Sequence, residues 1–156
     1  MTTIAHGRAC EHGTLQVPTT RPTEFVDITP ALQAWSASAG RWSGTLTIQS
    51  RHTTAAIAIN EAEPLLLADM EALLERLAPR THPYWHDELP LRGQVPTSEP
   101  RNGHAHCRSL LLPSTAVVIV VNGALQLGRW QRVFLVELDG PRQREVSLLA
   151  MGEVLP

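Results

Sequence analysis

Apolar and polar residues alternate along much of this chain, and changes in the period of that alternation mark its elements. Leu15 and Val17 alternate with polar neighbours, and Phe25 to Ile28 interleaves Phe25 and Asp27 with Val26 and Ile28, which predicts two short strands. Thr29-Pro30 then opens a helix: Thr29 can accept N–H bonds as N-cap, and Pro30 at the first helical position lacks only a donor that would be orphaned there. This helix should run to about Ser38, with Gly40 as its stop. Residues 43–50 alternate and predict a half-buried strand; residues 53–60, rich in Ala and Ile, predict a second. Pro64 begins a stronger helix in which Leu65, Leu66, Met70, Leu73, Leu74 and Leu77 keep close to a 3.6 period, ending at Ala78-Pro79. Residues 80–103 turn to Pro, Gly, His and charge, a connection long enough to suggest function. A short helix over 105–112, stopped by Pro113, is expected next.

Residues 115–121 and 124–127 flank Asn122-Gly123, a hairpin signal because both residues accept positive φ. Residues 133–138 and 145–149 predict a final strand pair around the turn Asp139-Gly140-Pro141-Arg142. Strands outnumber helices and tight turns join several of them. The expected class is therefore α+β, with a mainly antiparallel sheet packed with two to three helices. Residues 1–13 show no period and read as a loose N-terminal extension before a single domain over 14–156.

Composition narrows the functional classes. At 156 residues, with 43% hydrophobic and 18% charged, the chain can bury a core and is not of disordered type. A net charge of −2 offers no electrostatic footprint for nucleic acid or an anionic membrane, so neither is expected as a partner. The start of the chain lacks a signal-peptide pattern, and the apolar run at 116–121 is far short of the ~20 residues of a membrane helix. Cytoplasmic residence is the resulting expectation. Cys10 and Cys107 are too few for a disulfide framework, and Cys107 reads as a small core thiol.

The candidate chemistry lies in the histidines. His52-Thr53-Thr54, Tyr84-Trp85-His86-Asp87 and His104-Ala105-His106 are separate polar clusters, and imidazoles converging from separate segments can build a three-ligand site with one open position. Taken alone, His52 reads as an edge histidine beside β-formers, and His86-Asp87 could be a solvated pair. Asp beside a ligating His is also a common way of fixing its tautomer. On a helix His104 and His106 point roughly 160° apart, so only one of them can be a ligand there. Glu61 follows a strand and precedes a helix, where it either caps or holds a carboxylate near the site. Trp130-Gln131 offers core packing or a wall and an amide for a ligand. Arg142 and Arg144 flank a tight turn, where they are solvated or bind an anion.

In this order the motifs resemble the YjbQ family, whose members are described as secondary thiamine-phosphate synthases. The residues that carry the resemblance are 25–29, 52–61, Asp69, Tyr84-Trp85-His86-Asp87, His106 with Ser109, Gly128-Arg129-Trp130-Gln131 and Asp139-Gly140-Pro141-Arg142. It spans roughly 14–149. The resemblance implies an α+β fold assembling as a homotrimer, with a divalent metal, expected to be zinc, held by His52, His86 and His106. His104 sits where the family varies. Arg129 stands in place of the family's usual small residue, Pro113 in place of a usual glycine, and the loop 89–100 is elongated.

The activity so implied joins a pyrimidine diphosphate to a thiazole phosphate with loss of pyrophosphate. Thr53, Thr54, Ser109 and Arg142 would hold phosphate oxygens, with Trp130 as a wall and Gln131 presenting its amide. Diphosphate leaving groups are normally managed by Mg²⁺ on oxygen ligands, whereas three imidazoles suit Zn²⁺, so this could be a side activity. Two other readings stand beside it. One is a zinc-dependent hydrolase of a small phosphate or ester, with Glu61 or Asp87 as general base. The other is a small-ligand-binding trimer without turnover.

Overall fold

Strand β7 (Gln131–Glu137) is an almost unbroken apolar run, Val133-Phe134-Leu135-Val136, while β8 (Gln143–Val154) alternates buried and less buried residues. That contrast sets the architecture, because an alternating strand has one face on the core and a continuous apolar strand is covered on both. The computed structural model describes residues 7–93, 95–96 and 98–154. It has two antiparallel sheets. One has five strands in the order β1-β8-β3-β5-β6, made of β1 (Gly7–Pro18), β8, β3 (Trp42–Ser50), β5 (Thr115–Val121) and β6 (Ala124–Leu125). The other has three, β2 (Glu24–Asp27), β7 and β4 (Ala55–Glu61), with β7 in the middle.

The inner faces of the sheets meet in one core. Leu46, Ile48, Val118, Val120, Val146 and Leu148 come from the larger sheet, and Ala55, Ile57, Val133 and Leu135 from the smaller. On the far side of the smaller sheet, Ala56, Phe134, Val136 and Leu138 pack against Leu74 of helix α2 (Pro64–Leu77) and Ala105 of helix α3 (Gly103–Leu110). The order of layers is thus five-stranded sheet, three-stranded sheet, helices. Helix α1 (Thr29–Ser38) contributes Leu32 to the first core.

The expected α+β class, antiparallel pairing and three helices are present. Several finer expectations are corrected. Residues 7–13, read as part of a loose extension, belong to β1 and pair with 148–154; residues 1–6 lie outside the described set. The last two strands do not pair with each other: β7 and β8 belong to different sheets, and the turn Asp139–Arg142 carries the chain from one to the other. Thr29 does not cap α1. Ile28 holds that position, Asp27 Oδ1 accepts the Thr29 N–H at 2.9 Å, and Thr29 Oγ1 accepts the Val133 N–H at 2.8 Å. Cys107 is exposed rather than buried, because α3 buries residues 103, 104, 105 and 108 and turns 107 outward. Among the described residues no helix is long and apolar enough to cross a membrane.

Candidate functional site

Three segments end at the same place. The 51–54 stretch links β3 to β4, the 139–142 turn links β7 to β8, and α3 begins beside them at Asn102. Together they line a cavity of about 350 Å³ whose walls include His52, Thr53, Thr54, His106, Asn102 and Arg142. Beneath it, Arg144 is buried and paired with the fully buried Glu137. Arg144 Nε donates to Glu137 Oε2 at 2.7 Å, and its Nη2 donates to Thr54 Oγ1 at 3.0 Å and to the Thr54 carbonyl at 3.2 Å. The floor of the cavity is therefore a satisfied ion pair that fixes Thr54.

The rim behaves differently. Arg51 pairs with Glu145, and Arg142 Nη2 donates to Asp139 Oδ2 at 2.7 Å while its Nε donates to the Asp139 carbonyl at 2.8 Å. Both guanidiniums are about half exposed, and solvent-exposed pairs contribute little, so an incoming anion can recruit them. Arg144, buried with Glu137, cannot change partners without stranding a buried charge.

The histidines divide. His86, in the 3₁₀ turn Trp85–Asp87, packs against His106 of α3 with ring centroids 4.6 Å apart. Its Nε2 lies 3.2 Å from Asn102 Oδ1, and Asn102 Nδ2 donates to Asp139 Oδ2 at 2.8 Å. His52 approaches from the other side, and its Nε2 accepts the Glu145 backbone N–H at 2.8 Å. Burial, then the Arg144 charge, lowers the His52 pKa; burial, then the neighbouring His86, lowers that of His106. His104 faces inward, its ring 6.5 Å from Tyr84 and its Nε2 buried without a hydrogen-bond partner among the described residues, as the helical argument for one of the two α3 histidines anticipates. Among the described residues no three His, Cys, Asp or Glu side chains stand together so as to hold a metal ion. With its Nε2 lone pair engaged, His52 as placed does not complete a three-imidazole zinc site.

The remaining expected site residues are scattered. Asp87 Oδ1 accepts the Gly103 N–H at 2.9 Å and so serves the start of α3. Ser109 does not line the cavity. Glu61, Trp130 and Gln131 border a separate cavity of about 360 Å³. Ala55 pairs with Glu137 but Glu61 pairs with Gln131, so the two cavities lie at opposite ends of the β4–β7 ladder, roughly 20 Å apart at ~3.4 Å per residue. Trp130 is exposed beneath the Arg129 guanidinium, 4.7 Å from the ring centroid, and Gln131 Oε1 accepts the Gly128 N–H at 2.8 Å. A larger, mainly apolar hollow of about 490 Å³ is lined by Pro83, Tyr84, Trp85, Glu88 and Leu91, which among the described residues bring no convergent set of donors to it.

Sequence reasoning missed Asn102, Glu137 and Arg51, and left Arg144 as a turn charge. Asn102 precedes a helix and looks like an ordinary cap, although its side chain makes no capping bond.

Comparison with known proteins gives one consistent family. Residues 13–153 match the family model described as UPF0047 protein YjbQ-like. The chain is 37% identical over 139 residues to a UPF0047 protein of Methanothermobacter thermautotrophicus, covering 89% of this chain and 90% of that one. It is also 37% identical over 140 residues to the UPF0047 protein YugU of Bacillus subtilis, covering 89% and 98%. Among solved structures, it is similar to a hypothetical protein from Aeropyrum pernix K1, with TM-score 0.81, 37% identity and coverage of 91% and 98%. It is likewise similar to a YbjQ-like protein of unknown function from Sulfolobus solfataricus, with TM-score 0.83, 31% identity and coverage of 94% and 99%.

Proposed function

The chain belongs to the UPF0047 YjbQ-like family, and from that premise we propose that it binds a small phosphorylated molecule in the cavity between the 51–54 stretch, the 139–142 turn and the start of α3. The observation that carries this reading is the convergence of two recruitable guanidiniums, Arg51 and Arg142, with the Thr53 and Thr54 hydroxyls on one wall. Guanidiniums that turn from their Glu145 and Asp139 carboxylates to an incoming anion stabilise charge that develops on a departing phosphate group. The corresponding activity is the one the family resemblance suggests, joining a pyrimidine diphosphate to a thiazole phosphate. In it Arg142 and Arg51 meet the oxygens of the leaving diphosphate, and buried Arg144 keeps Thr54 in place.

As placed, the imidazoles of His52, His86 and His106 do not fit a three-ligand zinc site, because the Glu145 N–H engages the His52 Nε2 lone pair. The paired rings of His86 and His106 support the competing hydrolase reading, since two adjacent imidazoles are half of such a centre. The working assembly in this reading is a homotrimer. Support comes from Val117, Ile119, Val121 and Met151, exposed apolar residues on β5 and β8 of the five-stranded sheet.

Calorimetric titration of pyrophosphate into wild type and Arg142→Ala tests the anion pocket. The variant is expected to bind at least about tenfold more weakly, the scale of one charge-assisted hydrogen bond. Equal binding by both would make Arg142 a turn residue only. Incubation with the pyrimidine diphosphate and thiazole phosphate, beside a panel of phosphate and ester substrates, separates transferase from hydrolase.

A further inference from the structure

Hydrogen bonds at the cavity fix which ring nitrogen carries the proton in two histidines. A backbone N–H can only donate, so the 2.8 Å contact from Glu145 N to His52 Nε2 needs a lone pair on that nitrogen. In the neutral ring the proton then sits on Nδ1.

For His86 the constraint arrives through a chain of three side chains. Ionised Asp139 only accepts, and its Oδ2 receives Arg142 Nη2 at 2.7 Å and Asn102 Nδ2 at 2.8 Å. This orients the Asn102 amide so that its oxygen faces His86 Nε2 at 3.2 Å. Reversing the amide would set its oxygen against a carboxylate. The Asp139 carboxylate, itself held by Arg142, keeps the Asn102 amide in this orientation. His86 Nε2 must therefore carry the proton, which leaves the lone pair on Nδ1.

We propose that His52 and His86 are held in opposite tautomers, His52 serving as an N–H donor to an oxyanion through Nδ1 rather than as a metal ligand, and His86 as the ring with the free Nδ1 lone pair. The donor role rests on the anion-pocket reading above; the tautomers do not. A neutral N–H donor beside Thr53 and Thr54 adds a directed hydrogen bond to a phosphate oxygen. Asn102 and Asp139 are positioning residues for the His86 ring, which packs against His106 on the cavity wall.

Long-range nitrogen–proton NMR of histidine-labelled protein, at a pH above the imidazole range, reads the tautomers directly. His52 is expected protonated on Nδ1 and His86 on Nε2, with Asn102→Ala releasing His86 into a mixture and leaving His52 unchanged. Added zinc should leave the His52 signals in place. Inorganic phosphate titration then separates two isosteres. His52→Asn puts an amide N–H near the Nδ1 position and should hold affinity within about threefold, while His52→Gln puts its amide near Nε2 and should lose at least about tenfold. His52 protonated on Nε2, His52 Nδ1 becoming metal-bound with zinc, or equal phosphate binding by the two isosteres would each overturn the proposal. If wild type binds no phosphate although the tautomers are as assigned, the anion pocket and the donor role fall together and the tautomer assignment stands.

Discussion

Glu137 ends β7 with no exposed surface, and each of its oxygens is spoken for. Oε2 accepts from Thr19 Oγ1 at 2.9 Å and from Arg144 Nε; Oε1 accepts the N–H groups of Leu138 and Asp139 at 2.9 and 2.8 Å. Burial pushes its pKa up, but the Arg144 hydrogen bond, the Asp139 N–H, the Arg144 charge and the Thr19 hydroxyl outweigh it and hold the carboxyl below its ordinary value of 4.5. A carboxylate with a depressed folded pKa contributes stability that is complete above the unfolded value and lost as pH falls through the folded one. Acid unfolding should therefore deepen below the ordinary carboxylate range, and Glu137→Gln should blunt that acid-sensitive part. At neutral pH the same variant strands buried Arg144 and should cost about 3–5 kcal/mol in urea titration. A variant as stable as wild type would show that the pair is unimportant. None of this was legible at residue level. Glu137 closes an apolar run and looks like a strand's polar end, and a buried carboxylate becomes visible only when its partner across the sheet-to-sheet turn is known.

At the scale of elements, helix α2 was readable to the residue because its signals are local: a proline at the start, an unbroken 3.6 period and Ala78-Pro79 at the end. Its cap is Glu63, whose carboxylate accepts the N–H groups of Leu65 and Leu66 at 3.0 and 2.7 Å. Glu63→Ala should lower stability by about 1 kcal/mol, seen as a reduced midpoint in thermal unfolding. Strand pairing is less forgiving. Gly44 of β3 lies opposite Gly152 of β8, and a Cβ at residue 44 would stand 2.1 Å from the Met151 carbonyl oxygen. Backbone cannot yield as a side chain would, so Gly44→Ala should destabilise by on the order of 3 kcal/mol or more in the same measurement. An isolated glycine inside an alternating strand is the sequence mark of such close approach. α1 shows the opposite limit: Thr29 is a good cap by type, but Val133 on a distant strand claims its hydroxyl.

For the whole molecule, the two-sheet arrangement escaped the sequence because successive strands are usually neighbours, and β7 and β8 are not. The unbroken apolar stretch of β7 was the available clue, since a strand with one wet face alternates. The site was legible as a set of motifs but not as a place. His52, Thr53, Thr54, His106 and Arg142 meet at one cavity, whereas Glu61, Trp130 and Gln131 lie at the far end of the same ladder. If a trimer forms through the exposed apolar residues of β5, Ile119→Lys should give monomers by light scattering at micromolar concentration and leave the circular dichroism spectrum unchanged; an intact trimer would move the interface elsewhere. The register of β1 against β8, Gly7 with Val154 through Pro18 with Gln143, also governs how the chain reaches this state. Strand β8 lies between β1 and β3, so β1 has no partner until residues from the opposite end of the sequence arrive. Closing so long a loop before any contact rewards it is entropically slow, and folding should fall in the roughly millisecond-to-second range of chains dominated by distant pairings. During that interval both sides of β1 are unpaired, not only the one it leaves at the edge of the finished sheet, and the chain is at its most vulnerable to joining with another copy of itself.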